Sequence, residues 1–170
     1  MSTCDSEIIY GIHPVFEALK AGRRQFHEIY LARGAHGRRF STLADLAASR
    51  NIPLNKINLP RLSRISKTDH HQGVGASVSP YPLVTIANIL DRDPPGSGPP
   101  FVIILDNVVD PHNLGAIIRS ALAVNVDGII IPKDRAVGPT PAVSKASAGM
   151  LEHASLSRVT NIVATIKILK

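Results

Sequence analysis

Between Phe101 and Asn125 the chain reads FVIILDNVVDPHNLGAIIRSALAVN, and its hydrophobic period changes midway. Phe101 to Leu105 is continuously apolar, as a strand covered on both faces would be. Leu114, Ile117, Ile118, Ala121 and Leu122 then recur at i, i+3, i+4, i+7 and i+8, which marks one face of a helix. Polar residues fill the turn between them, at Asp106-Asn107 and at Asp110-Pro111-His112-Asn113. In open parallel α/β sheets the carboxyl ends of the strands face the ligand crevice, so this pattern sets polar side chains where chemistry is done.

The upstream pattern alternates too. Glu7 to Tyr10 is short and extended, and Gly11-Ile12-His13-Pro14 turns the chain. Val15, Ala18, Leu19 and Gly22 recur at helical spacing, with Pro14 suited to the first turn. His27 to Ala32 predicts a strand. Residues 37–50 predict a helix with Phe40, Leu43, Ala44 and Ala47 on one face, and Ile52 to Ile57 another strand, giving βαβαβ. After the basic segment LPRLSRISK comes HHQGVGASVSPYP, with a brief strand around Val74 to Val78 that Pro80 and Pro82 end. Ile86 to Leu90 is a single helical turn. Residues 91–100, DRDPPGSGPP, cannot add to a core and read as a stiff linker. The expected division is a domain at 1–90, the linker at 91–100 and a second domain at 101–170.

Beyond the linker the pattern predicts a strand at 101–105, a helix over about 113–125 and a strand at Gly128 to Ile131. A helix over about 140–149, a short strand near Ala154 to Leu156 and an amphipathic segment from Thr160 follow. This alternation is that of a parallel sheet with covering helices. The last residues, IVATIKILK, are still in helical period, with Ile162, Ile166 and Leu169 roughly aligned. Either a C-terminal part or another chain is expected to complete that core.

Composition narrows the class. In 170 residues, 44% of them hydrophobic, there is material for one large or two small packed domains. No apolar run approaches the roughly 18–20 residues of a bilayer span, and the N-terminus lacks the pattern of a signal peptide. Cys4 is the single cysteine, which excludes an internal disulfide and a multi-cysteine zinc site and fits a reducing cytoplasm. The formal charge of +6 is unevenly spread: residues 1–90 carry eleven Lys and Arg against six Asp and Glu, the rest eight against seven. The first half therefore presents either a basic solvated surface or a surface for a polyanion. Its densest basic positions are Arg38-Arg39 and Arg61, Arg64 and Lys67, the last three spaced to share a face. With few aromatics nearby, contacts to the shape and phosphates of a polyanion fit them better than base stacking. His70-His71 are adjacent and lack the spacing of metal ligands, so they read as a polar loop or an RNA contact, and no metal site is expected.

On the helix after Asn113, His112, Gly115, Arg119 and Ala123 form a strip beside the core stripe. A glycine inside a helix costs about 1 kcal/mol relative to alanine, so Gly115 implies close approach of a backbone or ligand. Arg119 rises from this strip as either a solvated surface arginine or a site residue. Asp110 before Pro111 reads as an N-cap, Asn113 is a second candidate cap, and the helix start also suits an anion.

LDNVVDPHNLGAIIRSA resembles the first signature of the SpoU (TrmH-type) RNA ribose 2′-O-methyltransferases of the knotted SPOUT class. VSKASAGMLEH, residues 143–153, is similar to their second conserved block. YGIHPVFEAL and HHQGVGASV resemble the substrate-binding domain found in the subgroup that modifies 23S ribosomal RNA. The resemblance implies a small ribosomal-protein-like α/β domain followed by an incomplete SPOUT-type, Rossmann-like parallel α/β domain. It implies methyl transfer from S-adenosylmethionine to a ribose 2′-hydroxyl of RNA, in a cytoplasmic homodimer with sites at the subunit interface. Asn113 and Arg119 carry over as catalytic residues, and His13 joins Arg38, Arg39, Arg61, Arg64 and Lys67 as candidate RNA contacts. A free guanidinium has a pKa above about 12, so Arg119 is expected to hold a phosphate or the developing alkoxide, with proton removal the alternative. The family's third block, which forms the knot and cradles the methyl donor, is not found in these residues. A polypeptide ending at Lys170 is therefore expected not to turn over. The competing classes are a noncatalytic RNA-binding protein and a nucleotide-binding Rossmann-like enzyme, the latter disfavoured because residues 106–113 lack GxGxxG.

Overall fold

The computed structural model describes residues 6–91 and 98–169, which form two compact units divided between Tyr81 and Pro82. The first contains β1 (Glu7–Tyr10), α1 (Ile12–Ala21), β2 (Phe26–Ala32), α2 (Arg38–Ser49), β3 (Leu54–Ile57), α3 (Leu59–Ser66) and β4 (Val74–Val78). Its strand order is β1-β4-β2-β3; β4 runs antiparallel to both neighbours and β2 parallel to β3. The brief strand at 74–78 is thus central, and all of it except Ser77 is buried.

Strand alternation sorts the helices of this unit. Ile29 and Leu31 of β2 pack with Val15, Leu19 and Leu43 of α1 and α2, whereas Tyr30 and Ala32 pack with Leu62 of α3. Successive strand side chains point to opposite faces, so α1 and α2 cover one face of the sheet and α3 the other. α3 arises where the sequence reading saw only a basic segment; Asn58 caps it by accepting from the Arg61 N–H at 3.0 Å. Buried Arg24 donates to Glu7 at 2.7 Å and to the Ser79 carbonyl at 3.1 Å, tying the start of β1 to the chain leaving β4.

The second unit contains α4 (Ile86–Leu90), β5 (Val102–Ile104), α5 (Pro111–Ala123), β6 (Gly128–Pro132), α6 (Pro141–Ala146), a 3₁₀ turn (Met150–His153), β7 (Leu156–Val159) and α7 (Ile162–Leu169). β5, β6 and β7 form a parallel sheet in that order. The last strand lies later than the expected 154–156, because a 3₁₀ turn occupies Met150–His153 and β7 pairs with β6 from Leu156. Ile89 of α4 packs with Ile130 and Val159, and the Val84 N–H donates to the Leu156 carbonyl at 3.0 Å. Residues 82–91 therefore pack with the second unit, although the sequence reading placed them up to 90 with the first. Of the expected linker, 92–97 lie outside the described residues, as does Cys4.

Candidate active site

The polar turn after β5 is organised by Asp110. Its carboxylate accepts from the backbone N–H groups of His112 and Asn113, each at 3.3 Å, and Pro111 occupies the first helical position, where a missing N–H costs nothing. Asp110 is thus the cap, and α5 begins two residues before the expected 113. Asn113 is left exposed at the third helical position, its side chain without a partner among the described residues.

Gly115 answers to a backbone. A Cβ there would lie 2.7 Å from the Ala146 Cβ and 2.8 Å from both the Ala146 carbonyl carbon and the Ser147 N, so α6 is seated directly on the small-residue strip. Buried polar groups hold α6 behind this contact. The Ser144 hydroxyl donates to Glu152 at 2.7 Å, and the Ser147 hydroxyl accepts from the Leu151 N–H at 3.1 Å. Residues 143–153 therefore act as a brace for α5. Lys145, on the last turn of α6, is half-buried, and burial lowers its pKa from the usual lysine value.

Arg119 is exposed and makes no hydrogen bond or ion pair among the described residues. It follows Asn113 by six residues, about 9 Å along the axis and about 120° around it. Asn113 lines an open groove of about 410 Å³ with Val108, Val109, Ala116 and Ile117. Ile117 and Ala116 continue into a second open groove of about 350 Å³ beside Ile103 and Val124. Arg119 stands outside both.

A third, polar cleft of about 610 Å³ lies at the carboxyl ends of the three parallel strands, lined by Asp106, Asn107, Asp134, Arg135, Thr160 and Asn161. Sequence reasoning singled out only the loop after β5. Asp134, Arg135, Thr160 and Asn161 follow β6 and β7 directly, and the same strand-end rule applied to those apolar runs would have found them.

In the first unit, His13, Arg38 and Arg39 are all exposed and line one cleft between α1 and α2. Arg61 and Arg64 lie on α3, across the sheet. Lys67 is the left-handed C-cap of α3, with φ 55°, and like Arg61 and Arg64 it is exposed. His70 is exposed, but His71 is buried; the Gly73 N–H donates to its Nδ1 at 3.0 Å. The ring proton then sits on Nε2 and points to Ser63 Oγ at 3.1 Å, which makes His71 a structural tie between α3 and β4.

Residues 8–84 match the family of RNA 2′-O ribose methyltransferase substrate-binding domains, and residues 100–170 match the SpoU rRNA methylase family. The chain is 36% identical over 168 residues to the 23S rRNA (guanosine-2′-O-)-methyltransferase RlmB of Photorhabdus laumondii, covering 97% of this chain and 67% of that protein. It is 36% identical over 165 residues to an uncharacterised tRNA/rRNA methyltransferase of Synechocystis, covering 96% and 43%. The chain thus spans between about two fifths and two thirds of the length of these relatives. Among solved structures, the SpoU methyltransferase AviRb of Streptomyces viridochromogenes, in complex with AdoMet, shares the fold at TM-score 0.72 and 19% identity, covering 96% of this chain and 58% of that one. An RNA 2′-O ribose methyltransferase superposes at TM-score 0.73 and 18% identity, over 98% and 60%. The chain belongs to the SpoU (TrmH) family of RNA methyltransferases.

Proposed function

We propose that the full-length protein transfers a methyl group from S-adenosylmethionine to a ribose 2′-hydroxyl of 23S ribosomal RNA, as a cytoplasmic homodimer. The observation that carries this reading is the disposition of α5. Asp110 takes over the capping of the helix and α6 braces Gly115, which leaves Asn113 and Arg119 as uncommitted polar side chains on one rigid element.

Bound S-adenosylmethionine would supply the methyl group: an O–C bond forms at the 2′-oxygen as the methyl–sulfur bond breaks, S-adenosylhomocysteine is the leaving group, and the hydroxyl's proton passes to solvent. A guanidinium has five donors and no acceptor, so Arg119 is suited to hold the phosphate of the target nucleotide or the oxygen as negative charge develops on it. Asn113 is suited to orient the ribose, since its amide both donates and accepts. Asn107, Asp110, Asn113 and Ser120 supply the polar side chains along the open grooves beside Asn113. The basic residues of the first unit supply the attraction for RNA.

The test is transfer of label from methyl-labelled S-adenosylmethionine to ribosomal RNA by the full-length protein, followed by alkaline hydrolysis. A 2′-O-methyl group blocks cleavage at the adjacent phosphodiester, so the label is expected in alkali-resistant dinucleotides. Label in mononucleotides would refute ribose methylation. RNA binding with neither label transfer nor calorimetric binding of S-adenosylmethionine would leave a noncatalytic RNA-binding protein.

A further inference from the structure

The candidate RNA contacts of the first unit fall on opposite faces of its sheet, and one group of them lines a cleft. His13, Arg38 and Arg39 meet where α1 and α2 begin, around a cleft of about 430 Å³. Its floor is apolar, from Ile12 and the half-buried Phe16, and Lys20 lies 4.6 Å from the centre of the Phe16 ring. Glu17 adds a carboxylate on the α1 side, with Lys20 at 3.5 Å from it.

The backbone reinforces the cationic rim. Gly11 and Gly37 precede the two helices at φ 100° and 109° with ψ 152° and 162°, a region that only glycine adopts readily. Neither helix has a side-chain N-cap or an acidic residue in its first turn. Ile12 N–H is taken by Gln72 at 3.3 Å, but the N–H groups of His13, Arg38 and Arg39 have no partner among the described residues. The side chains of the same three residues are also without partners. Independently of this geometry, residues 8–84 match a family of RNA substrate-binding domains.

We propose that this cleft holds one unstacked nucleotide of the RNA. The proposal rests on the RNA methyltransferase reading and specifies how the first unit grips its substrate. The phosphate sits at the start of α2, against Arg38 and Arg39 and their free N–H groups, because Glu17 repels it from the α1 side. The base lies over Ile12 and Phe16. The contact is to a single-stranded or flipped-out nucleotide, since a paired base would not reach an apolar floor between two helices. Arg61 and Arg64, on the other face, make sequence-independent phosphate contacts at most.

The test uses the full-length protein and a single-stranded ribo-oligonucleotide, alongside the same oligonucleotide carrying abasic positions. Wild-type protein is expected to bind the intact oligonucleotide about 10-fold more tightly than the abasic one, in line with base stacking on an aromatic ring. Replacing both Arg38 and Arg39 by Ala should weaken binding about 10-fold and reduce the slope of log affinity against log salt by about one to two. Phe16→Leu should remove the preference for the intact oligonucleotide. Phe16 also packs on the core, so the exposed His13→Ala and the Arg38/Arg39 variants carry the test independently of folding. Equal affinity for intact and abasic oligonucleotides overturns the proposal, as does unchanged affinity in the Arg38/Arg39 variant with loss only in Arg61→Ala/Arg64→Ala. Absence of any RNA binding by the wild-type protein would instead refute the RNA reading on which the proposal rests.

Discussion

Replacing Gly115 by Ala sets two effects of opposite sign against each other. On an isolated helix the change would stabilise by about 1 kcal/mol, because glycine is the poorer helix former. Here the new methyl group would sit 2.7–2.8 Å from Ala146 and Ser147, and two of the three contacted atoms are backbone. Carbon atoms pack at about 3.5–4.0 Å, so α6 must retreat by roughly 1 Å, and no rotamer change relieves the contact. Retreat disturbs the seat of buried Val143 and the Ser144–Glu152 hydrogen bond. Overpacking of this kind costs about 1–3 kcal/mol, and the backbone contacts put this case at the upper end. The expected net effect is destabilisation by about 1–2 kcal/mol after the propensity gain is subtracted. Urea denaturation followed by circular dichroism should show a lower midpoint at unchanged slope. Ser120→Ala, at an exposed position on the same helix, serves as the control and should be neutral or slightly stabilising. A Gly115→Ala protein at least as stable as wild type would show that the strip is not pressed against α6.

Removing the Asp110 cap by Asp110→Ala should cost about 1 kcal/mol and fray the first turn of α5, measured as faster amide exchange at His112 and Asn113; unchanged exchange would contradict the capping assignment. Arg24→Ala should destabilise by on the order of 3 kcal/mol in chemical denaturation, since it breaks a pair whose arginine is buried and removes its donor to the Ser79 carbonyl. A loss below about 0.5 kcal/mol would mean that the pair behaves as a surface one. Burial, followed by the charge and hydrogen bond of Glu28, raises the Tyr30 phenol above 10.0, against an opposing pull from Arg61. The folded state thus holds this proton more tightly than the unfolded state, and the resulting stability, full below pH 10, declines as pH rises through the folded value. Tyr30→Phe should flatten that alkaline decline in the urea midpoint, and an identical decline would refute the role of Tyr30.

The periodic elements were legible because one face of each is buried. Leu114, Ile118 and Ala121 of the expected core stripe are fully packed, and the parallel sheet after residue 101 follows from the βα alternation. Legibility failed where tertiary contacts decide. Nothing local marks Val74–Val78 as a central strand, because its place comes from pairing with β1 and β2, more than forty residues away in each case. The affiliation of Ile86–Leu90 likewise depends on Ile89 meeting Ile130 and Val159. In the candidate site, the sequence offered both Asp110 and Asn113 as caps of α5, and only the hydrogen bonds of the folded chain assign the role to Asp110. It placed Arg38-Arg39 and His13 as separate contacts, and the structure gathers them because α1 and α2 cover the same sheet face.

In the proposed reaction the strip on α5 carries the chemistry through Arg119. Single-turnover methyl transfer from labelled S-adenosylmethionine to ribosomal RNA, by the full-length protein carrying Arg119, Arg119→Lys or Arg119→Ala, tests it most directly when RNA affinity is measured in parallel. The expected result is a loss of roughly 10²–10³-fold or more in the alanine protein, partial activity in the lysine protein and nearly unchanged RNA affinity. Transfer by the alanine protein within about 10-fold of wild type, or a loss matched by an equal loss of RNA affinity, would contradict it.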